Sequence, residues 1–276
     1  MAALAGCQQP PGANVQQNAT LNETSPLPNL QVAEPPMDRA DLLLASARAA
    51  SATALARDDL SEQRRLGGNA FEVRIRFGCE PTDSRASMSA RSFAVRYDSE
   101  DGTLRVRAAP DLALDKAGLE DLAGHAVEAV EGFWIRRPWL LADGCPAQPR
   151  PPEPTSKTPN DSSPAGAADA TTGAALAPAG RRVGVAQFFT EADSRTGRRA
   201  ERAYEATKIL SEGQKPSSQG YNLVLSGRLR RLPTGRVIAC QVQSPDAEPD
   251  CIISVQFDRV WIEDPERKQI IAEWTS

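Results

Sequence analysis

The sequence is poor in the residues from which most active sites are built. Of 276 residues only one is histidine, His125, and aromatics make up 5%. Any Ser/His or Cys/His mechanism would have to run through that single imidazole. Helical spacing puts it on the solvent side of a helix expected over 115–131, where it reads as a surface residue. No pair of closely spaced Cys or His residues offers a zinc site. No phosphate loop or dinucleotide fingerprint occurs, and Gly67-Gly68 is too short to be more than a helix stop. No apolar run approaches the roughly 18 residues of a membrane span. A net charge of −4 sets nucleic acid aside as a partner. Asp258, Glu263 and Asp264 lie near one strand end, but turn chemistry accounts for Glu263 and Asp264. The expectation is therefore no catalytic residue, no metal and no cofactor. Lysine is scarce too: five (Lys116, Lys157, Lys208, Lys215, Lys268) among 32 basic residues. With the many alanines, that bias suggests a GC-rich bacterial genome.

Proline, by contrast, is plentiful at 22, and it is clustered. Residues 8–36 are rich in Gln, Asn and Pro, as a flexible tether would be. Residues 146–182 hold eight prolines among Ala, Ser and Thr without any period, as in a disordered linker. The expected division is a truncated leader and tether (1–37), a helix plus antiparallel β module (38–145), the linker (146–182) and a β-meander module (183–276). The fold class is α+β, mainly antiparallel β, in two small disulfide-bearing modules.

Periodicity supports this division. Asp38 or Asp41 caps a helix with an alanine-heavy stripe at Leu43, Ala47, Ala50 and Ala54, ended by Gly67-Gly68. Alternation then puts Phe71, Val73, Ile75, Phe77 and Cys79 on one strand face. Phe93, Val95 and Tyr97 share another, as do Leu104, Val106 and Ala108. Leu119, Leu122, Ala123, Ala126, Val127 and Val130 form a helical stripe capped by Asp115. FWIRRPWLL reads as a strand with Phe133, Ile135, Trp139 and Leu141 inward. VGVAQFF is a strand, RRAERAYEATKIL is ambiguous, and YNLVLSGRL, RVIACQV, CIISVQFDRVWI and QIIAEWT form a meander.

Four cysteines beyond Cys7 allow three pairings. Cys240 and Cys251 flank a loop of turn formers between two strands, which favours a bond across a hairpin. That leaves Cys79 with Cys145. Two disulfides imply an oxidising compartment.

Leu4-Ala5-Gly6-Cys7 resembles the lipobox of bacterial lipoproteins. The resemblance implies cleavage before Cys7 and acylation of its sulfur, often of its new amino group as well. Two acyl chains give a firm anchor. Gln8 in place of Asp implies outer-membrane sorting, on the periplasmic or surface side. Only Met1-Ala2-Ala3 precede the box, so the true start is expected upstream.

Alternation that sends apolar residues inward sends Arg74, Arg76, Arg96, Arg105, Arg107 and Arg136 outward. On one shared sheet they would form a basic face suited to phosphate or carboxylate. The plainer alternative is that their stems cover a one-sided sheet and pair with acids such as Glu72 and Asp98. The functional expectation is a cell-envelope lipoprotein that binds or scaffolds, engaging an anionic envelope polymer, a lipid headgroup or a partner protein. An envelope hydrolase using unidentified carboxylates is the alternative.

Overall fold

The structure is a computed structural model. It describes residues 34–57, 59–79, 88, 91–145, 182–190, 193, 198–199, 202–244 and 246–275. Residues 1–33 of the expected leader and tether, Cys7 among them, and the 146–181 stretch of the expected linker lie outside the described residues.

The chain is α+β and mostly strand. Its elements are α1 (Arg39–Ala54), α2 (Leu60–Leu66), β1 (Ala70–Phe77), β2 (Phe93–Asp98), β3 (Thr103–Ala108), α3 (Lys116–Ala123) and β4 (Val127–Trp134). They continue with β5 (Val183–Thr190), β6 (Tyr204–Ile209), β7 (Tyr221–Leu229), β8 (Ile238–Gln241), β9 (Asp250–Asp264) and β10 (Gln269–Thr275). Seven strands form a mixed sheet along the path β1-β7-β9-β5-β4, with β8 and β10 also on β9; β2-β3-β6 form a second sheet.

These pairings correct the expectation of two modules. The segments 38–145 and 183–276 interleave in both sheets: β1 pairs β7, β4 pairs β5, and β3 pairs β6. Alternation reports which face of a strand is buried but not which strand lies beside it, so the sequence pattern could not reveal the interleaving.

β9 runs for 15 residues and uses both edges. On one edge β8 lies opposite Asp250–Ile253 and β7 follows opposite Val255–Glu263. The other edge carries β5, in parallel, opposite Cys251–Ser254, and then β10 opposite Arg259–Asp264. The expected meander is therefore a strand with four neighbours. Opposite Ser226 and Gly227 the register of β9 slips, leaving Asp258 as the extra residue of a β-bulge. A Cβ on Gly227 would lie 1.9 Å from the Gln256 carbonyl oxygen, so only glycine lets the two strands close at the bulge.

The main core lies on the face of the large sheet that carries Phe71, Val73, Ile75 and Phe77. α1 and the second sheet both cover it. Asp38 caps α1 in a reciprocal box with Asp41. Leu42, Leu43, Ala45, Ser46, Ala49 and Ala50 are buried, a broader stripe than the periodicity gave. Small side chains there let the helix approach the sheet closely. The sequence reads one helix before Gly67; the chain instead makes α1 and α2 with a break between Ala54 and Leu60. A smaller core of Leu119, Leu122, Ala123, Ala186, Phe188 and Ile252 packs under α3.

The expected 115–131 helix stops after Ala123. Gly124 takes φ +90°, a left-handed backbone that glycine tolerates, and β4 begins at Val127. Val127 and Val130 kept helical spacing by coincidence. His125 falls in the intervening turn, exposed and with Nδ1 3.2 Å from the Glu120 carboxylate.

The disulfides are Cys79–Cys145 and Cys240–Cys251. Cys240 faces Cys251 directly in the β8–β9 register. The Cys79–Cys145 bridge spans 66 positions and the Cys240–Cys251 bridge 11. Chain-entropy reasoning then assigns about 4 and about 3 kcal/mol to them. In denaturant titrations, Cys79→Ser/Cys145→Ser is expected to lose more stability than Cys240→Ser/Cys251→Ser.

Candidate ligand site

The gap on β9 between Ser254 and Arg259 opens a cavity. Beyond Ala186, β5 leaves β9, and β10 joins the same edge only at Arg259. With no strand beside it there, the Phe257 amide donates to the Gln187 side-chain oxygen at 3.2 Å. The space has a volume of about 180 Å³. Its walls are Phe257 and Val260 from β9, Trp274 and Thr275 from β10, Gln187 and Phe189 from β5, and Glu131, Gly132 and Phe133 from β4. Tyr204 of β6, Pro110, Arg198, Arg199 and Arg202 complete it. An engineered cavity of about 150 Å³ holds a benzene molecule, so this one suits a single ring or a short acyl segment.

Three of its aromatic rings, those of Phe133, Tyr204 and Trp274, belong to a seam that joins the two sheets. Ring centroids lie 5.5 Å apart for Phe77 and Phe93, 5.9 Å for Phe93 and Phe133, 6.0 Å for Phe133 and Tyr204, and 5.1 Å for Tyr204 and Trp274. The last pair meets edge to face, a favourable quadrupole arrangement.

The charge balance of the cavity is positive. Glu131 accepts from the Arg199 backbone N–H at 3.1 Å and lies 3.9 Å from Arg198 Nε. The Arg199 guanidinium sits 4.2 Å over the Tyr204 ring, and that of Arg198 5.5 Å over Phe189. Three guanidiniums thus accompany one carboxylate among the lining residues. Burial pushes the Tyr204 phenol up to about 12, so it stays a neutral O–H group above pH 10, where an exposed phenol ionises. Aromatic walls, surplus guanidinium and a phenol together favour a small anion bearing an apolar group.

A second groove, about 600 Å³, runs between the end of α1, α3 and β8 past Thr53, Arg57, Asp121, Arg236 and Cys240. It has no aromatic wall, and Asp59 takes Arg236 at 3.1 Å.

The six outward arginines do not share one sheet. Arg74 and Arg76 are on β1 of the large sheet, Arg96, Arg105 and Arg107 on the second sheet, and Arg136 in the loop after β4. The basic face expected from alternation is therefore split. Arg74 is held by Glu72 at 2.7 Å and Glu263 at 3.0 Å. Arg76 donates to the Gln219 carbonyl, Arg107 pairs with Glu205, and Arg136 stacks on Phe93. Arg96 and Arg105 face each other across β2 and β3, exposed and without an ion pair among the described residues.

Of the three carboxylates near the β9 end, Asp264 does serve its turn, accepting from the Glu266 and Arg267 amides. Glu263 does not. It accepts from Arg74, Asn222 and the Trp261 indole. Burial works to raise its pKa, and those hydrogen bonds outweigh it and hold the carboxyl below its ordinary value.

The sequence reading missed the cavity. Arg198, Arg199, Arg202 and Tyr204 lie in a segment whose periodicity was ambiguous, and Glu131 was placed on a helix. No family profile, curated protein or solved structure matches the chain.

Because the folded state favours the neutral Tyr204 phenol, it binds more protons than the unfolded chain between pH 10 and about 12. Stability from this group is complete below pH 10 and falls as pH rises through that window. Unfolding titrations of Tyr204→Phe are expected to lack this part of the alkaline loss. A phenol absorbance change at 295 nm that titrates near pH 10 for Tyr204 would contradict the assignment.

Proposed function

We propose that this chain is a lipid-anchored binding protein of the bacterial cell envelope and that the cavity beside β9 receives a small anionic group carrying a ring or short acyl segment. The observation that carries the ligand class is the composition of the cavity: aromatic walls with three guanidiniums and one carboxylate. Its volume, about 180 Å³, lies below the roughly 300–1,000 Å³ of drug-sized pockets, so the group is the end of a ligand rather than a whole cofactor. An envelope polymer or lipid headgroup with such an end has the required chemistry. Two disulfides and the lipobox-like Leu4-Ala5-Gly6-Cys7 support the compartment.

The hydrolase alternative asks for two carboxylates converging on one space. Among the described lining residues only Glu131 brings one, and the Arg199 amide engages it.

Phenyl phosphate is a suitable probe. Titrated into the full chain with disulfides intact, it is expected to shift the Trp274 indole N–H resonance, with benzyl alcohol binding at least tenfold more weakly. Arg202→Glu, at an exposed guanidinium, is expected to weaken phenyl phosphate by roughly tenfold or more, the usual worth of a charge-assisted hydrogen bond. Equal affinities for the two probes, or an unchanged affinity in the variant, would refute the site.

A further inference from the structure

The strand expected over FWIRRPWLL ends at Trp134. Ile135 is still buried, but the chain then turns, and Trp139 is 73% exposed, Leu141 63% and Leu140 38%. The other exposed large apolar residues, such as Leu44, Leu55 and Ile209, stand singly. Scattered apolar residues are ordinary on a protein surface, whereas three in succession at the crest of one turn form a patch.

The turn is also held firmly. Arg39 of α1 is buried, and its guanidinium donates to the carbonyls of Arg136 at 2.6 Å, Arg137 at 3.1 Å and Leu140 at 2.9 Å. The Leu140 amide bonds to the Arg137 carbonyl at 2.9 Å, closing the turn. Arg137 Nη2 reaches the Gly144 carbonyl, also at 2.9 Å. On one flank the Ile135 amide donates to the Val183 carbonyl, and on the other Cys145 is bonded to Cys79. The backbone of 135–145 is thus fixed at both ends and in the middle, while its three apolar side chains contribute nothing to the core. A rigid crest loses little freedom when it engages something outside the molecule.

Basic groups surround the crest. Arg136 is exposed beside it. Arg39, Arg76 and Arg137 all act on the Asp143 carboxylate. Two of the six outward arginines, Arg76 and Arg136, therefore lie at this end of the fold, where the chain from Pro35 also enters through Asp38 into α1.

We propose that the Trp139–Leu141 turn docks on an anionic phospholipid bilayer, with the indole and leucines in the interfacial region and the flanking guanidiniums at the phosphates. The residue types match that interface: tryptophan at headgroup level, leucine below it, arginine extended toward phosphate. The area also favours a bilayer over a protein partner. The three side chains offer on the order of 300–400 Å², half or less of the roughly 800 Å² per side of a stable protein interface. No helix among the described residues is long and apolar enough to cross a membrane. It depends on neither the cavity nor acylation of Cys7.

The test uses the full chain with Cys7→Ser, oxidised disulfides and no acyl chain. It is expected to cosediment with vesicles of phosphatidylcholine plus phosphatidylglycerol, more weakly with phosphatidylcholine alone, and less as salt rises. Lipids brominated on the acyl chain are expected to quench Trp139 emission, identified by its loss in Trp139→Phe. Trp139→Ser/Leu141→Ser is expected to reduce partitioning about tenfold or more, with an unchanged thermal unfolding curve because neither side chain is in the core. Arg136→Glu is expected to weaken binding only to the anionic vesicles. Failure of the Cys7→Ser chain to bind anionic vesicles would overturn the proposal, as would undiminished binding by the double variant. Neither result would touch the phenyl phosphate site.

Discussion

Everything in this fold depends on β9 being paired along both edges. A strand inside a sheet ordinarily has two neighbours, one on each side, as β3, β5 and β7 do; β9 has four because each of its edges is divided. β8 and β7 share one, and β5 and β10 share the other. The burial pattern of β9 follows from this position: Cys251 to Val255 is a continuous buried run, as expected of a strand covered on both faces. The bulge at Asp258 then turns the second half of the strand, and Gly227 permits the close approach that the turn requires. The four neighbours of β9 all come from the late segment, and the early strands join them through β1–β7, β4–β5 and β3–β6.

The same division of edges creates the cavity. Where β5 and β10 fail to meet along β9, backbone groups and aromatic side chains are left around an empty space, and Gln187 satisfies the Phe257 amide there. The aromatic seam from Phe77 to Trp274 ties that space to the second sheet. At the far end of β4, the chain leaves the sheet after Trp134, and Arg39 substitutes its guanidinium for the missing strand partners of Arg136, Arg137 and Leu140. Burial lowers the pKa of that guanidinium, while the nearby Asp143 carboxylate opposes the effect. A charge withdrawn from water in this way needs its full set of acceptors, and the loop carbonyls supply them.

What the sequence made legible was local. The faces of β1, β2 and β3 followed from alternation, Asp38 and Asp115 capped their helices, the Cys240–Cys251 pairing followed from the hairpin around its loop, and Cys79–Cys145 followed by elimination. Long-range pairing was not legible, because alternation carries no information on which strands are neighbours. For that reason six arginines that point outward as expected lie on two sheets and a loop. Helical spacing misled at Val127 and Val130, which continue the α3 stripe numerically while Gly124 ends the helix. Trp139 and Leu141 kept strand alternation through a proline and two arginines, yet the chain turns there. Arg39 anticipates that turn only from 97 or more positions away. The cavity combines residues from five strands and a segment with no clear period, so no short motif could have announced it.

The direct measurement is equilibrium unfolding of the intact, oxidised chain followed at two places at once. Val73 and Val106 report on the early segment, and Ile253 and Trp274 on the late one. If the early strands interlock with the late strands that β9 gathers, as one fold, their NMR signals disappear in a single transition with a common midpoint and slope. Two separated transitions, one for each half, would contradict it.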